Sequence, residues 1–121
     1  MTAVAPAAVE AGLTSDTAAS GPARTVFFGS GSFAVPILDA VAEDPRLVIA
    51  AVVTAPDRPA GRGRALRRTP VAERALALGL PVLQPPRLRA ADAVAELARL
   101  QPDLGVLADY GQIVPREILE L

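Results

Sequence analysis

Six arginines fall between Pro56 and Gly79, at positions 58, 62, 64, 67, 68 and 74, half of the 12 basic residues in a 121-residue chain whose formal net charge is −1. The positive charge is therefore local, and a local positive face selects an anionic partner. The Gly61-Arg62-Gly63 core and its flanking prolines oppose both helix and strand, so Arg58, Arg62, Arg64, Arg67 and Arg68 are expected to project from an irregular surface loop. Asp57 and Glu73 are the acidic residues near enough in sequence to offset them. Connections from strand to helix in α/β units span about two to six residues, so a loop of about fourteen needs a reason. Charges spread along a chain suit successive phosphates of a nucleic acid better than one small anion. The plain alternative is a solvated charge run.

Two further segments could carry chemistry. Gly29-Ser30-Gly31-Ser32-Phe33-Ala34 matches the form of a dinucleotide fingerprint, in which glycines admit a pyrophosphate to a helix N-terminus. Two features oppose that reading. A helix starting at the second glycine would place Pro36 in its second turn, at a cost of about 3 kcal/mol. The next apolar run ends in Val53-Thr54-Ala55, without the acid that would hold a ribose. A glycine-rich turn with no ligand, or a loop lining a substrate cleft, remains. The other segment is Leu107 to Pro115, in which Tyr110, Gly111, Gln112, Ile113 and Val114 offer backbone donors and acceptors and an aromatic edge to a flat heterocycle. A simple strand-to-helix connection is its alternative.

Other chemistries are excluded by composition. The chain has no Cys and no His, which removes thiolate and imidazole as nucleophile, general base and metal ligand. No catalytic residue and no metal site is therefore assigned. Residues 1–23 are rich in Ala, Ser, Thr and Gly without apolar periodicity and are expected to be a disordered leader. The first arginine is Arg24, and Glu10 and Asp16 interrupt the stretch, so it fits neither a signal peptide nor a presequence. With no apolar run long enough to span a bilayer, a cytoplasmic location is expected.

The elements that position these segments alternate apolar runs with helical patterns from Arg24 onward. Strands are expected at residues 25–28, 47–54, 81–83 and 104–107. Helices are expected around Ala34 to Val41, from Pro70 behind a Thr69 N-cap to Gly79, from Ala90 to Leu100, and from Pro115. Right-handed crossovers place the four strands in the order 3-2-1-4, part of a Rossmann-like, doubly wound α/β sheet whose sites form outside the carboxyl ends of the strands. The fourth strand would be an apolar edge, a liability that suggests a fragment of a larger domain.

Four blocks in order then carry a resemblance: Phe27-Phe28-Gly29 with Phe33-Ala34-Val35-Pro36; Val53 to Gly63; Gly79-Leu80-Pro81-Val82-Leu83-Gln84-Pro85; and Tyr110-Gly111-Gln112-Ile113-Val114-Pro115. Together they resemble the N-terminal half of the methionyl-tRNA formyltransferases, over Arg24 to Leu121. The resemblance implies an incomplete catalytic domain at 24–121, with 10-formyltetrahydrofolate as formyl donor and the amino group of initiator methionyl-tRNA as acceptor. It implies that the arginine loop reaches the acceptor end of the tRNA, with Arg62 as main contact, and that the backbone of residues 110–114 reads the pterin. It also implies a monomer when the protein is full length. The family's asparagine, histidine and later aspartate would lie past Leu121, so the chain alone is expected to be inactive. Asp109 stands where the family commonly carries a small apolar residue. Formylation of a small amine, and a non-catalytic folate- or RNA-binding fragment, are the alternatives.

Overall fold

The computed structural model describes residues 21–60, 65–112 and 114–121. Four apolar strands form one parallel sheet: β1 (Ala23–Gly29), β2 (Leu47–Val53), β5 (Val82–Leu83) and β6 (Leu104–Ala108), in the order β5-β2-β1-β6. This is the expected 3-2-1-4 arrangement of parallel strands, a Rossmann-like half-sheet. β1 takes the centre because both of its faces are apolar. Alternation along the strand sends Phe27 to one side and Val26 and Phe28 to the other, and all three are buried.

Helices cover both faces. Helix α1 (Val35–Glu43) and helix α2 (Pro70–Ala77) pack with Leu38, Val41, Val71 and Ala75 against Phe27, Val52 and Val106. Helix α3 (Ala91–Arg99) and the short α4 (Arg116–Leu119) deliver Leu97 and Ile118 to the opposite face, against Val26, Phe28 and Val53. Each fully buried side chain of this size contributes about 1.5–3 kcal/mol relative to exposure.

Local signals fix the helix ends. Thr69 Oγ1 accepts the Ala72 N–H at 3.0 Å, Pro70 occupies the first turn of α2, and Gly79 beyond its end has φ +74°. A 3-10 turn at Ser32–Ala34 precedes α1, so Pro36 falls in the first turn of the helix, where it costs no hydrogen bond. Asp44 closes the other end: it accepts from the backbone N–H of Arg46 at 2.9 Å and pairs with its guanidinium at 2.6 Å. The Arg46 side chain first, then its backbone N–H, holds the Asp44 carboxyl below its ordinary value.

Three expectations need correction. The arginine loop is not irregular throughout: β3 (Arg58–Ala60) and β4 (Ala65–Arg67) form an antiparallel hairpin with Arg58 opposite Arg67 and Pro59 opposite Leu66. In a two-stranded ribbon alternate N–H groups point outward, so Pro59 is tolerated, and the glycines that argued against a strand lie between the arms. Ala23 belongs to β1, with its N–H donated to the Arg46 carbonyl at 2.8 Å, so the expected 1–23 leader does not extend through its last residue; residues 1–20 lie outside the described residues. The last helix starts at Arg116, with Pro115 as its cap.

Candidate functional site at the carboxyl end of the sheet

Ser30, the first residue after β1, ties the carboxyl ends of three strands to the amino end of α2. Its hydroxyl donates to the Tyr110 carbonyl at 3.2 Å, accepts the Ala55 N–H at 3.0 Å and lies 3.3 Å from Thr54 Oγ1. Thr54 and Thr69 share a 2.6 Å hydrogen bond, and the Ser30 carbonyl accepts from Val71 at 3.3 Å. The side chain of Thr54 is fully buried, so this polar chain stands in for the solvent its hydroxyl has lost.

The glycine loop serves the protein rather than a pyrophosphate. The N–H groups of Ser30 and Gly31 both donate to the Asp109 carbonyl, at 2.9 and 3.3 Å, and the Ala34 N–H donates to Gly31 O at 3.0 Å. Asp109 has φ +51°, and its carboxylate lies so close over Gly31 that a β-carbon there would collide with it. A fixed negative charge thus sits where a dinucleotide would bring its phosphates. Asp109 is exposed, on the strand end that leads into the strip at 110–114.

Within that strip the Tyr110 ring is not an exposed edge, contrary to expectation. It is 5% exposed and meets Phe28 edge to face, with centroids 5.9 Å apart. Its hydroxyl has no partner among the described residues, and burial pushes its pKa up to about 12. Gln112 is also engaged: its Oε1 accepts the Leu88 N–H at 2.9 Å, and its Nε2 donates to Pro85 O at 3.5 Å. What the strip offers a ligand is therefore main chain, at Gly111 above all, on the rim of a ≈ 440 Å³ cavity also lined by Arg87, Leu88, Arg89 and Gln112. Val114 is half-buried against the core on the α3 side of the sheet, and Ile113 lies outside the described residues.

The hairpin rises from the carboxyl end of β2, on the same side. Arg58, Arg67 and Arg68 are exposed on it and its exit; Arg62 and Arg64 lie outside the described residues. Gln84 anchors its root by donating to Asp57 Oδ1 at 2.8 Å and to the Ala55 carbonyl at 3.2 Å. Arg74 does not join this group, since it pairs with Asp39 of α1 at 2.7 Å. Sequence reasoning gave no role to Ser30, Thr54, Arg87 or Arg89. A serine between two glycines is a weak signal by itself, and its partners are scattered over 80 residues.

A parallel half-sheet with polar groups, a cavity and a basic hairpin outside the carboxyl ends of its strands defines a Rossmann-like domain, a fold in which ligands are taken at those strand ends. Residues 23–121 match the formyl transferase family, and the chain belongs to that family. It is 55% identical over 100 residues to the methionyl-tRNA formyltransferase of Roseiflexus sp. (strain RS-1), covering 83% of this chain and 31% of that protein. The enzyme of the same name from Pseudomonas syringae pv. tomato is 49% identical over 100 residues, 83% of this chain and 32% of the relative. That from Chloroflexus aggregans is 53% identical over 98 residues, 81% of this chain and 31% of the relative. The chain thus spans about a third of the length of these relatives.

Proposed function

We propose that this chain is the N-terminal portion of a methionyl-tRNA formyltransferase, which moves a formyl group from 10-formyltetrahydrofolate to the amino group of methionine on initiator tRNA in the cytoplasm. The observation that carries the reading is the basic hairpin at the carboxyl end of β2, at the same end of the sheet as the cavity beside Gly111. A folate needs the cleft and a small amine needs no more, whereas an RNA acceptor end makes use of a projecting arm lined with arginines. In this reading Arg58, Arg62, Arg64, Arg67 and Arg68 hold tRNA phosphates, and the main chain of Tyr110, Gly111, Gln112, Ile113 and Val114 reads the pterin edge. The exposed Phe33 ring, in the turn that follows β1, gives a stacking face.

In the transfer, the methionyl amine attacks the formyl carbon and loses a proton, the carbonyl oxygen carries negative charge in the tetrahedral intermediate, and N10 of the folate departs. Donors must meet that oxygen and a base must take the proton. This chain contains neither His nor Asn, so its part is to bind and orient the two substrates, and alone it is inactive. No metal is required by this chemistry. The intact protein works as a monomer.

The test is formylation of initiator methionyl-tRNA by the intact protein with Arg62→Ala, compared with Arg99→Ala at the far end of α3. Loss of a charge-assisted phosphate contact should lower kcat/KM about tenfold or more for Arg62→Ala, lower the log–log salt slope of tRNA binding by about one, and leave Arg99→Ala near wild type. Equal behaviour of the two variants would defeat the assignment of the hairpin.

A further inference from the structure

The three hydroxyls at the end of the sheet admit one arrangement of protons. Ser30 has a single hydroxyl proton and the Tyr110 carbonyl, 3.2 Å away, can only accept, so Ser30 donates there. Thr54 Oγ1, 3.3 Å from Ser30 Oγ, must then donate to it. That spends the Thr54 proton, so in the 2.6 Å pair with Thr69 it is Thr69 that donates. Thr69 Oγ1 is left to accept, and it takes the Ala72 N–H at 3.0 Å. The bonds thus run in one direction, from Thr69 through Thr54 and Ser30 to the Tyr110 carbonyl, and bonds in such a chain strengthen one another. Thr69 lies on the exit leg of the hairpin, just past the end of β4 at Arg67. Ala55, whose N–H Ser30 Oγ accepts at 3.0 Å, lies on the entry leg, just past the end of β2 at Val53. The Ser30 carbonyl accepts the Val71 N–H at 3.3 Å, and its own N–H donates to the Asp109 carbonyl at 2.9 Å. Every polar group of Ser30 is therefore engaged in joining both legs of the hairpin to the start of the strip at 110–114. Thr54 is fully buried, so water cannot replace its part of the chain.

We propose that Ser30 is a positioning residue that couples the two substrates: through the hydroxyl chain it heads, RNA held by the hairpin tightens the binding of folate at the strip, and folate tightens the binding of RNA. The proposal rests on the tRNA reading of the hairpin and the folate reading of the strip, and adds a connection between them. Each ligand draws on the order of the segment that holds it, the two legs of the hairpin for the RNA and the main chain of the strip for the heterocycle. Because one set of hydrogen bonds fixes both segments, the ligand that arrives second meets a segment already ordered and loses less entropy in binding. Formyl transfer needs both substrates held at once, and such coupling favours the complete ternary complex over either half of it.

The experiment measures binding of initiator methionyl-tRNA to the intact protein with and without saturating 5-formyltetrahydrofolate, whose formyl group is on N5 rather than N10 and is not transferred. In wild type the folate should tighten tRNA binding about fivefold, and the tRNA should tighten folate binding by the same factor. In Ser30→Ala the factor should fall to near one while each ligand alone still binds. Thr54→Val, which keeps the shape and removes the hydroxyl, should also lower it, and is the deciding variant if Ser30→Ala does not fold. Ser30→Thr and Thr54→Ser, which keep a hydroxyl at each place, should retain the factor. A variant that is merely less folded cannot give the expected result, because the first ligand refolds it and raises the apparent factor. A factor that persists in Ser30→Ala, or in Thr54→Val where Ser30→Ala does not fold, overturns the coupling, as does a factor near one in wild type; both outcomes leave the two binding readings standing. Failure of wild type to bind either ligand overturns the reading on which the coupling rests.

Discussion

Tyr110 shows how a single residue can serve two layers at once, its carbonyl accepting from the Ser30 hydroxyl at the end of the sheet and its ring buried in the core. The hydroxyl, buried without a partner among the described residues, weakens the core. Tyr110→Phe should therefore stabilise the chain by about 1 kcal/mol in chemical denaturation, since removing an unsatisfied buried donor relieves a desolvation cost of that order. It should leave folate binding unchanged, because the main chain is untouched. The pH dependence follows from the raised pKa of about 12 against an ordinary 10. A group whose folded pKa is raised contributes stability that is intact below pH 10 and is lost as pH climbs through 12, because only the protonated phenol fits the core. At about 1.4 kcal/mol per unit the loss is about 2–3 kcal/mol. With no Cys and no Lys in the sequence, Tyr110 is the one side chain that titrates in this window. Denaturation midpoints between pH 9 and about 12 should fall for wild type and stay nearly flat for Tyr110→Phe; parallel curves would refute the assignment.

At the scale of elements, the turns decide what can be substituted. Gly29 closes β1 where a β-carbon would lie 2.7 Å from the Ala108 carbonyl oxygen and 2.7 Å from the Phe27 ring. The carbonyl belongs to the neighbouring strand and cannot retreat. Gly29→Ala should cost about 1–3 kcal/mol, measurable by urea titration, and a neutral result would mean that the β1–β6 ladder yields. Gln101, past the end of α3, stands at φ +50° where helices commonly place glycine. Gln101→Gly should raise stability by about 0.5–1 kcal/mol, the strain relieved exceeding the added chain entropy. These elements also show what a sequence discloses. The sheet order, the Thr69 cap and the position of Pro36 were legible because each depends on apolar period or on one residue's backbone rules. The hairpin was not, because its three-residue arms are too short for a period and its pairing is cross-strand. Burial of the Tyr110 ring was equally hidden, since it follows from Phe28, Leu88 and Ile118 arriving from three other parts of the chain.

For the whole molecule, edges and sequence distance set the behaviour. Among the described residues the outer edge of β6 has no strand partner, and its side chains are apolar, whereas β5 at the other edge is only two residues long. An uncovered apolar edge invites pairing. The 121-residue chain alone should have a net stability below the ~5 kcal/mol found for complete small domains and should shift to larger species with concentration in sizing chromatography. A strictly monomeric chain with a sharp transition above about 60 °C would contradict this. The Ser30 junction has a kinetic counterpart. Its bond to the Tyr110 carbonyl closes a loop of 80 residues, and β1 pairs with β6 over a similar separation. Such closure is slow and comes after local contacts. On a ribosome β1, α1 and β2 can associate while synthesis continues, but one wall of the cleft waits for residue 110 to emerge. The cleft is thus the last part of this sheet to exist during synthesis, and a nascent chain shorter than that carries its basic hairpin before the cleft has formed.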